Sequence, residues 1–199
     1  PVTMRQALAQ SLNIPSVKIL QLAGVENTID LAHDLGITTL NETSTYGLAL
    51  VLGGGEVRLV DLVSAYSVFA NDGIRNESTF ILKIVTGDGR VLEEYKEDGS
   101  RVLEAEIART ISDMLSDNSA RGPVFGYNSP LAFPGKQVAA KTGTTQENRD
   151  AWVVGYTPAV AVGVWVGNNN NKPMTAAGAG ISAAGPMWHE FMNTISNRY

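Results

Sequence analysis

The sequence contains no cysteine. Disulfide frameworks and thiolate metal sites are therefore excluded, while the compartment stays open, because a cysteine-free chain suits an oxidising milieu as well as a reducing one. Histidine is nearly missing too. His33 and His189 stand alone, and neither lies in an H-x-x-x-H or H-E-x-x-H setting, so no metal site is expected. Charged residues make up only 18% of the chain, with 15 Lys and Arg against 20 Asp and Glu, a net charge of −5. That sign is a poor electrostatic match for nucleic acid or anionic lipid. Long apolar runs are absent. The most apolar stretch, Trp152 to Gly167, is broken by Gly155, Thr157 and Pro158, and reads as two strands rather than a membrane span. There is no G-x-S-x-G elbow, no G-x-x-x-x-G-K-[ST] loop and no G-x-G-x-x-G opening a helix. Gly53-Gly54-Gly55 follows no clear strand and precedes no lysine, so it reads as a structural turn. No signal peptide is visible and the first residue is Pro1, which leads us to expect a piece of a longer protein.

What remains is an ordinary globular balance. The 199 residues are 44% hydrophobic, room for one large domain or two small ones. Thr3 to Leu22 reads as two helical pieces broken at Asn13-Ile14-Pro15, with Pro15 opening the second. A helix from Glu26 or Asn27 through Leu35 stops at Gly36. Leu59, Leu62, Val63, Tyr66 and Phe69 repeat at helical spacing within Glu56 to Ala70. Phe80 to Val85 and Arg90 to Tyr95 flank Gly87-Asp88-Gly89, a hairpin signal. Ala105 to Leu115 is helical by composition, and 116–136 reads as a long loop. From Gln137 the pattern turns to strands, Gln137 to Gly143, Ala151 to Tyr156 and Ala159 to Gly167, closed by a helix from Met187 to Ile195. Helices come first and strands follow consecutively through short connections. The expected class is α+β, a mainly helical part over 1–136 and an antiparallel sheet with a closing helix over 137–199.

The most informative residues are Lys141-Thr142-Gly143-Thr144-Thr145. A chance K-T-G occurs in roughly one chain in twenty of this length, but here Val138-Ala139-Ala140 reads as a strand leading into it. Such a strand suits a site wall. Lysine supplies a fixed positive charge, threonine hydroxyls hydrogen-bond a carboxylate, and Gly143 lets a ligand lie against the backbone. An edge strand can also pair with an extended peptide. The bland alternative is a solvated Lys and Thr face. Ser11-Leu12-Asn13 is weak by itself, since S-x-N arises by chance in roughly half of such chains, and a cap before Pro15 explains it equally well. Trp152, Trp165 and Trp188 read as packing groups rather than ligand stackers, and His189 as a surface or packing residue. Asp150 either fixes a turn through Arg149 or is solvated, and Asn168 to Asn171 reads as a loop tip.

Several segments together carry a resemblance. Met4 to Leu20 (MRQALAQSLNIPSVKIL), Tyr46 to Gly73, Ala139 to Pro158 (AAKTGTTQENRDAWVVGYTP), Val162 to Asn168 and Ala183 to Met192 resemble, in order, the bifunctional high-molecular-weight class A penicillin-binding proteins of the 1A kind. The likeness covers almost the whole chain and points to the C-terminal part of their transpeptidase domain. It implies an incomplete β-lactamase/transpeptidase-like fold and a serine acyltransferase that cross-links peptidoglycan stem peptides. In that family a Ser in S-x-x-K attacks the D-Ala-D-Ala amide, and β-lactams acylate the same Ser. By the resemblance Ser11 relays a proton and Asn13 binds the acyl side. Lys141 sets a positive potential, Thr142 and Thr144 hold the terminal carboxylate, and Gly143 and Thr145 are further substrate-binding residues. The Thr144 N–H forms half of the oxyanion hole. No cofactor is implied. The parent is expected on the extracytoplasmic face of the bacterial inner membrane, this chain itself being soluble.

One element is missing. No serine here has a lysine three residues later. In the family that helix precedes S-x-N, so it is expected upstream of Pro1 with the first strands of the sheet, and this chain is expected to be inert alone. The implied partners are the stem peptide, β-lactams and the missing N-terminal half, with no nucleic acid. Two alternatives stay open, a non-catalytic peptide-binding or assembly module and one half of a split enzyme. An exposed sheet edge left by the missing strands also predicts self-association.

Overall fold

The computed structural model describes residues 1–175 and 180–198. Its architecture is α+β. Three helices come first, α1 (Met4–Ala9), α2 (Asn13–Ala23) and α3 (Val25–Asp34). Thr3 caps α1 in a capping box, its hydroxyl accepting from the Gln6 N–H while the Gln6 side chain accepts from the Thr3 N–H. α2 begins at Asn13, so Pro15 lies in its first turn rather than at its first position. There the missing proline N–H costs nothing, because first-turn donors have no intrahelical partner.

A loop with two short 3₁₀ turns leads to α4 (Leu59–Ala70). Asp61 in its first turn is nearly buried and ties the loop down. It accepts from the Thr38 N–H, from the Thr38 hydroxyl at 2.8 Å and from Arg58. Two short ladders follow. β1 (Ile74–Arg75) pairs with β4 (Ser100–Arg101), and inside that bracket the expected hairpin forms from β2 (Lys83–Val85) and β3 (Val91–Glu94).

Helix α5 (Ala105–Ser116) is succeeded by α6 (Asn118–Phe125), within the 116–136 stretch expected to be loop. The loop signal was Ser, Asn, Gly and Pro. Yet Asp117 caps α6 by accepting from the Ala120 N–H at 2.8 Å, and Arg121 and Gly122 are buried. Pro123 falls near the end of this eight-residue helix, where one lost bond is tolerated.

The last third builds an antiparallel sheet in the order β5 (Ala139–Thr144), β6 (Asp150–Thr157), β7 (Val160–Gly167). The final helix α7 (Gly180–Ile195) starts earlier than Met187 and carries Gly185 and Pro186 inside it. The strand period sorts β6 between two faces. Ala151 and Val153 are fully buried in a core with Trp188 and Met192 of α7. Trp188 is wholly buried and donates its indole N–H to the Val162 carbonyl at 3.0 Å. A Cβ at Gly155 would come within 2.5 Å of the Trp188 ring and 2.4 Å of the Ala139 carbonyl, so the indole seat requires glycine. Tyr156 packs oppositely with Tyr66 and Phe69 of α4 and accepts or donates a bond with Ser112 of α5. The sheet is thus sandwiched between α7 and the pair α4–α5. Among the described residues no helix is long and apolar enough to cross a membrane, and none of their side chains form a metal-binding cluster.

Candidate active site

The groove face of β6 carries Asp150, Trp152 and Val154, which alternate with the buried Ala151 and Val153. A groove of about 1000 Å³ lies over it. β5, the α1–α2 junction, Tyr66 of α4, the loop residues Gly53 and Gly55 to Val57, and Asn168, Asn169 and Asn171 also line it.

Residues 130 positions apart meet here. The Lys141 ammonium donates to the Ser11 hydroxyl at 2.6 Å and to the Thr142 carbonyl at 2.8 Å. Burial pushes the Lys141 amine down from its ordinary 10.5 to about 8. No carboxylate pairs with it among the described ion pairs. The groove therefore holds a cation without a partner anion, a setting suited to a ligand carboxylate.

The backbone explains how Ser11 gets there. α1 ends in a Schellman turn, with the Ser11 N–H on the Leu8 carbonyl at 3.1 Å and the Leu12 N–H on the Ala7 carbonyl at 3.0 Å. The central position of that turn is left-handed and usually glycine. Ser11 occupies it at φ +57°. A non-glycine residue there costs about 1 kcal/mol, which makes a strained residue at a groove a marker of function. Asn13 opens α2, exposed, and also lines the groove.

Among the described residues β5 is an edge strand, and its hydrogen-bond phase follows from its end. The Thr145 N–H bonds the Asp150 carbonyl at 3.2 Å, continuing the register that pairs Thr144 with Ala151 and Gly143 with Trp152. Antiparallel ladders alternate, so Thr142 and Thr144 turn their N–H and C=O groups away from β6 toward the open edge. Gly143 faces Trp152, and a Cβ there would sit 3.2 Å from the Trp152 Cβ. All of Lys141, Thr142, Gly143, Thr144 and Thr145 line the groove.

The structure therefore brings together every site residue singled out in the sequence. It also adds some. Trp152 and Trp165 form an edge-to-face pair at 6.4 Å on the groove floor, whereas Trp188 is the packing tryptophan. Asp150 does not bond Arg149, which pairs with Glu147 and the Asn171 carbonyl. It instead accepts from the Thr145 hydroxyl and the Trp165 indole. Asn168, Asn169 and Asn171 line the groove rather than forming an idle tip. His189 is a packing residue, stacked on Phe133 at 4.4 Å and bonded to the Pro130 carbonyl. The alternation Asp150, Trp152, Val154 was the signal that could have placed the floor, since i, i+2 and i+4 share one face of a strand.

Known proteins resemble this chain in sequence and in fold. The chain is 37% identical over 199 residues to penicillin-binding protein 1A of Aquifex aeolicus, matching all of this chain and 26% of that protein. It is 35% identical over 189 residues to penicillin-binding protein 1A/1B of Bacillus subtilis, 86% of this chain and 20% of that one. The chain thus spans about a quarter of the length of the curated relatives it matches. Its fold superposes on PonA1 of Mycobacterium tuberculosis, solved with penicillin V, at a TM-score of 0.81 with 29% identity, covering 97% of this chain and 56% of that one. It also matches the fold of penicillin-binding protein 1A from Haemophilus influenzae at a TM-score of 0.84 and 23% identity, covering 98% of this chain and 34% of the other. The profile of the penicillin binding protein transpeptidase domain runs through residues 1–193, and on that match this chain belongs to the transpeptidase family of penicillin-binding proteins.

Proposed function

We propose that this groove is the substrate side of a D,D-transpeptidase site, which cross-links peptidoglycan stem peptides through a serine acyl-enzyme. The observation that carries the reading is the Lys141 ammonium 2.6 Å from the Ser11 hydroxyl, beside an open strand edge that turns Thr144 outward. Lys141 and the hydroxyls of Thr142 and Thr144 bind the terminal carboxylate of D-Ala-D-Ala. The Thr144 N–H, pointing off the edge, supplies one oxyanion-hole donor. Asn13 hydrogen-bonds the acyl-side amide. Ser11 shuttles a proton to the leaving amine, and Lys141 keeps the neighbouring amines of the site deprotonated by its charge. β-Lactams carry a carboxylate and a strained amide in the same relation, so they enter the same groove. PonA1, similar to this chain, has been solved with penicillin V.

The nucleophile is an S-x-x-K serine supplied from outside these 199 residues, since none of them meets that spacing. The chain alone is therefore inert toward peptide and penicillin. The parent works on the extracytoplasmic face of the bacterial inner membrane, where its substrate is. A complete transpeptidase domain treated with fluorescent penicillin and run on a denaturing gel tests the reading. The wild type retains the label and Lys141→Met loses it. A wild type that takes no label contradicts the assignment.

The open β5 edge favours one second reading, a peptide-binding module without catalysis. Reversible binding of a D-Ala-D-Ala peptide, lost in Thr142→Val, with no acylation of the complete domain, distinguishes it. The outer edge of β7 is likewise unpaired among the described residues. Self-association through it is checked by size-exclusion chromatography, and a monomer at all concentrations argues against it.

A further inference from the structure

The far end of β5 is closed by bonds that all meet at Asp150. The Thr145 N–H reaches the Asp150 carbonyl at 3.2 Å, and the Asp150 N–H donates to the Thr145 hydroxyl at 2.9 Å. That hydroxyl donates in turn to Asp150 Oδ2 at 3.0 Å, while the Trp165 indole N–H donates to Oδ1 at 2.8 Å. A single carboxylate thus joins three strands: the end of β5, the start of β6 and, through Trp165, β7.

The latch spans a strained turn. Between Thr145 and Asp150, Glu147 and Asn148 are both left-handed, at φ +59° and +53°. Two consecutive non-glycine residues in that region hold only when the surroundings fix them. The turn is also tied outward, by the Met174 N–H on the Asn148 carbonyl and by Arg149 on the Asn171 carbonyl. The Thr145 hydroxyl spends its one proton on Asp150 and cannot donate it to a ligand.

We propose that Asp150 is a positioning residue for the carboxylate-binding end of the groove, latching Thr145 and Trp165 so that the Thr144 N–H and hydroxyl stay aimed off the open edge. This reassigns Thr145 from ligand contact to latch, and it rests on the transpeptidase reading above. A carboxylate held by Lys141 and two hydroxyls, beside an N–H aimed at the oxyanion, tolerates little displacement, because misplacement by about 1 Å costs on the order of 100-fold in rate. Losing the latch loosens the strand end without touching Lys141 or Ser11.

The test uses the complete transpeptidase domain and compares Thr145→Ser, Thr145→Val, Asp150→Ala and the Thr145→Val/Asp150→Ala pair. The readouts are the second-order rate of penicillin acylation and the Trp165 indole N–H resonance, identified by its loss in Trp165→Phe. Thr145→Ser keeps the hydroxyl and stays near wild type. Thr145→Val and Asp150→Ala each slow acylation by roughly 10- to 100-fold, mainly by raising the half-saturating penicillin or peptide concentration. The pair is no slower than the worse single variant, as residues acting as one unit require. The indole resonance moves in Asp150→Ala. A Thr145→Val domain that acylates like wild type, or single losses that multiply in the pair, overturns the proposal. Where Asp150→Ala does not fold, the isosteric Thr145→Val decides. If the wild-type domain is not acylated at all, the transpeptidase reading fails instead. The latch then stands or falls on whether the indole proton exchanges faster in Asp150→Ala.

Discussion

Ser11 offers a pair of variants in which stability separates from function. Its left-handed φ of +57° costs about 1 kcal/mol relative to glycine. Its hydroxyl recovers some of that through the 2.6 Å bond from Lys141. A bond to a charged donor is worth about 1.5–3 kcal/mol when shielded, and less here, because Ser11 is exposed. Ser11→Ala keeps the strain and loses the bond, so it should unfold about 1 kcal/mol more easily than wild type. Ser11→Gly loses the same bond and also the strain, so it should lie about 1 kcal/mol above Ser11→Ala. For a domain of this size that gap is about 2–4 °C in Tm. Both variants, built into the complete domain, should lose penicillin acylation alike. Thermal or urea denaturation measures the first quantity and covalent labelling the second. Equal stability of the alanine and glycine variants would refute the strain argument, and labelling that survives in either would refute the role given to the hydroxyl.

The Lys141 amine titrates at about 8 in the folded chain against 10.5 unfolded. Between those values the unfolded state binds more protons, so the Lys141 contribution to stability rises with pH from about 8 to 10.5, and Lys141→Met removes that rise in urea titrations. Carboxylate binding runs the other way: affinity for a D-Ala-D-Ala peptide falls above pH about 8 as the ammonium is lost, readable by fluorescence polarisation across pH. Burial raises the Asp61 carboxyl, but bonds from Thr38 and Arg58 outweigh it and hold it below its ordinary range. Its stabilisation is therefore complete above the ordinary carboxylate value and lost as pH falls through the lower folded one, and Asp61→Asn flattens that acid limb of a pH–Tm curve. Gly155→Ala, forced against the Trp188 ring and the Ala139 carbonyl, should cost about 1–3 kcal/mol in denaturant unfolding, and a wild-type midpoint would contradict the packing described.

Much of this was legible in the residues. Periodicity placed α4, and composition with clear punctuation placed α5 and all three strands of the main sheet, within a few positions. Lys141 to Thr145 could be read as a site wall because a strand pattern ran straight into it. Helix α6 was hidden, since its stability comes from an Asp117 cap and burial of Arg121 rather than from propensity. The early start of α7 was hidden behind Gly185 and Pro186, which tertiary packing on the sheet accommodates. The meeting of Ser11 with Lys141 could not be read from either motif alone. It depends on the Schellman turn that α1 makes with a serine in glycine's place, and no composition or period announces that. Asp150 was visible only as a loop-ending acid, because its partners lie five and fifteen residues along the chain.

In the proposed function this groove receives a substrate carboxylate while the attacking serine comes from elsewhere. Peptide mapping by mass spectrometry after exposure to a penicillin tests it most directly. No adduct is expected on these 199 residues alone and, in the complete domain, one adduct is expected on an upstream S-x-x-K serine and vanishes with Lys141→Met. An adduct on Ser11 would contradict it.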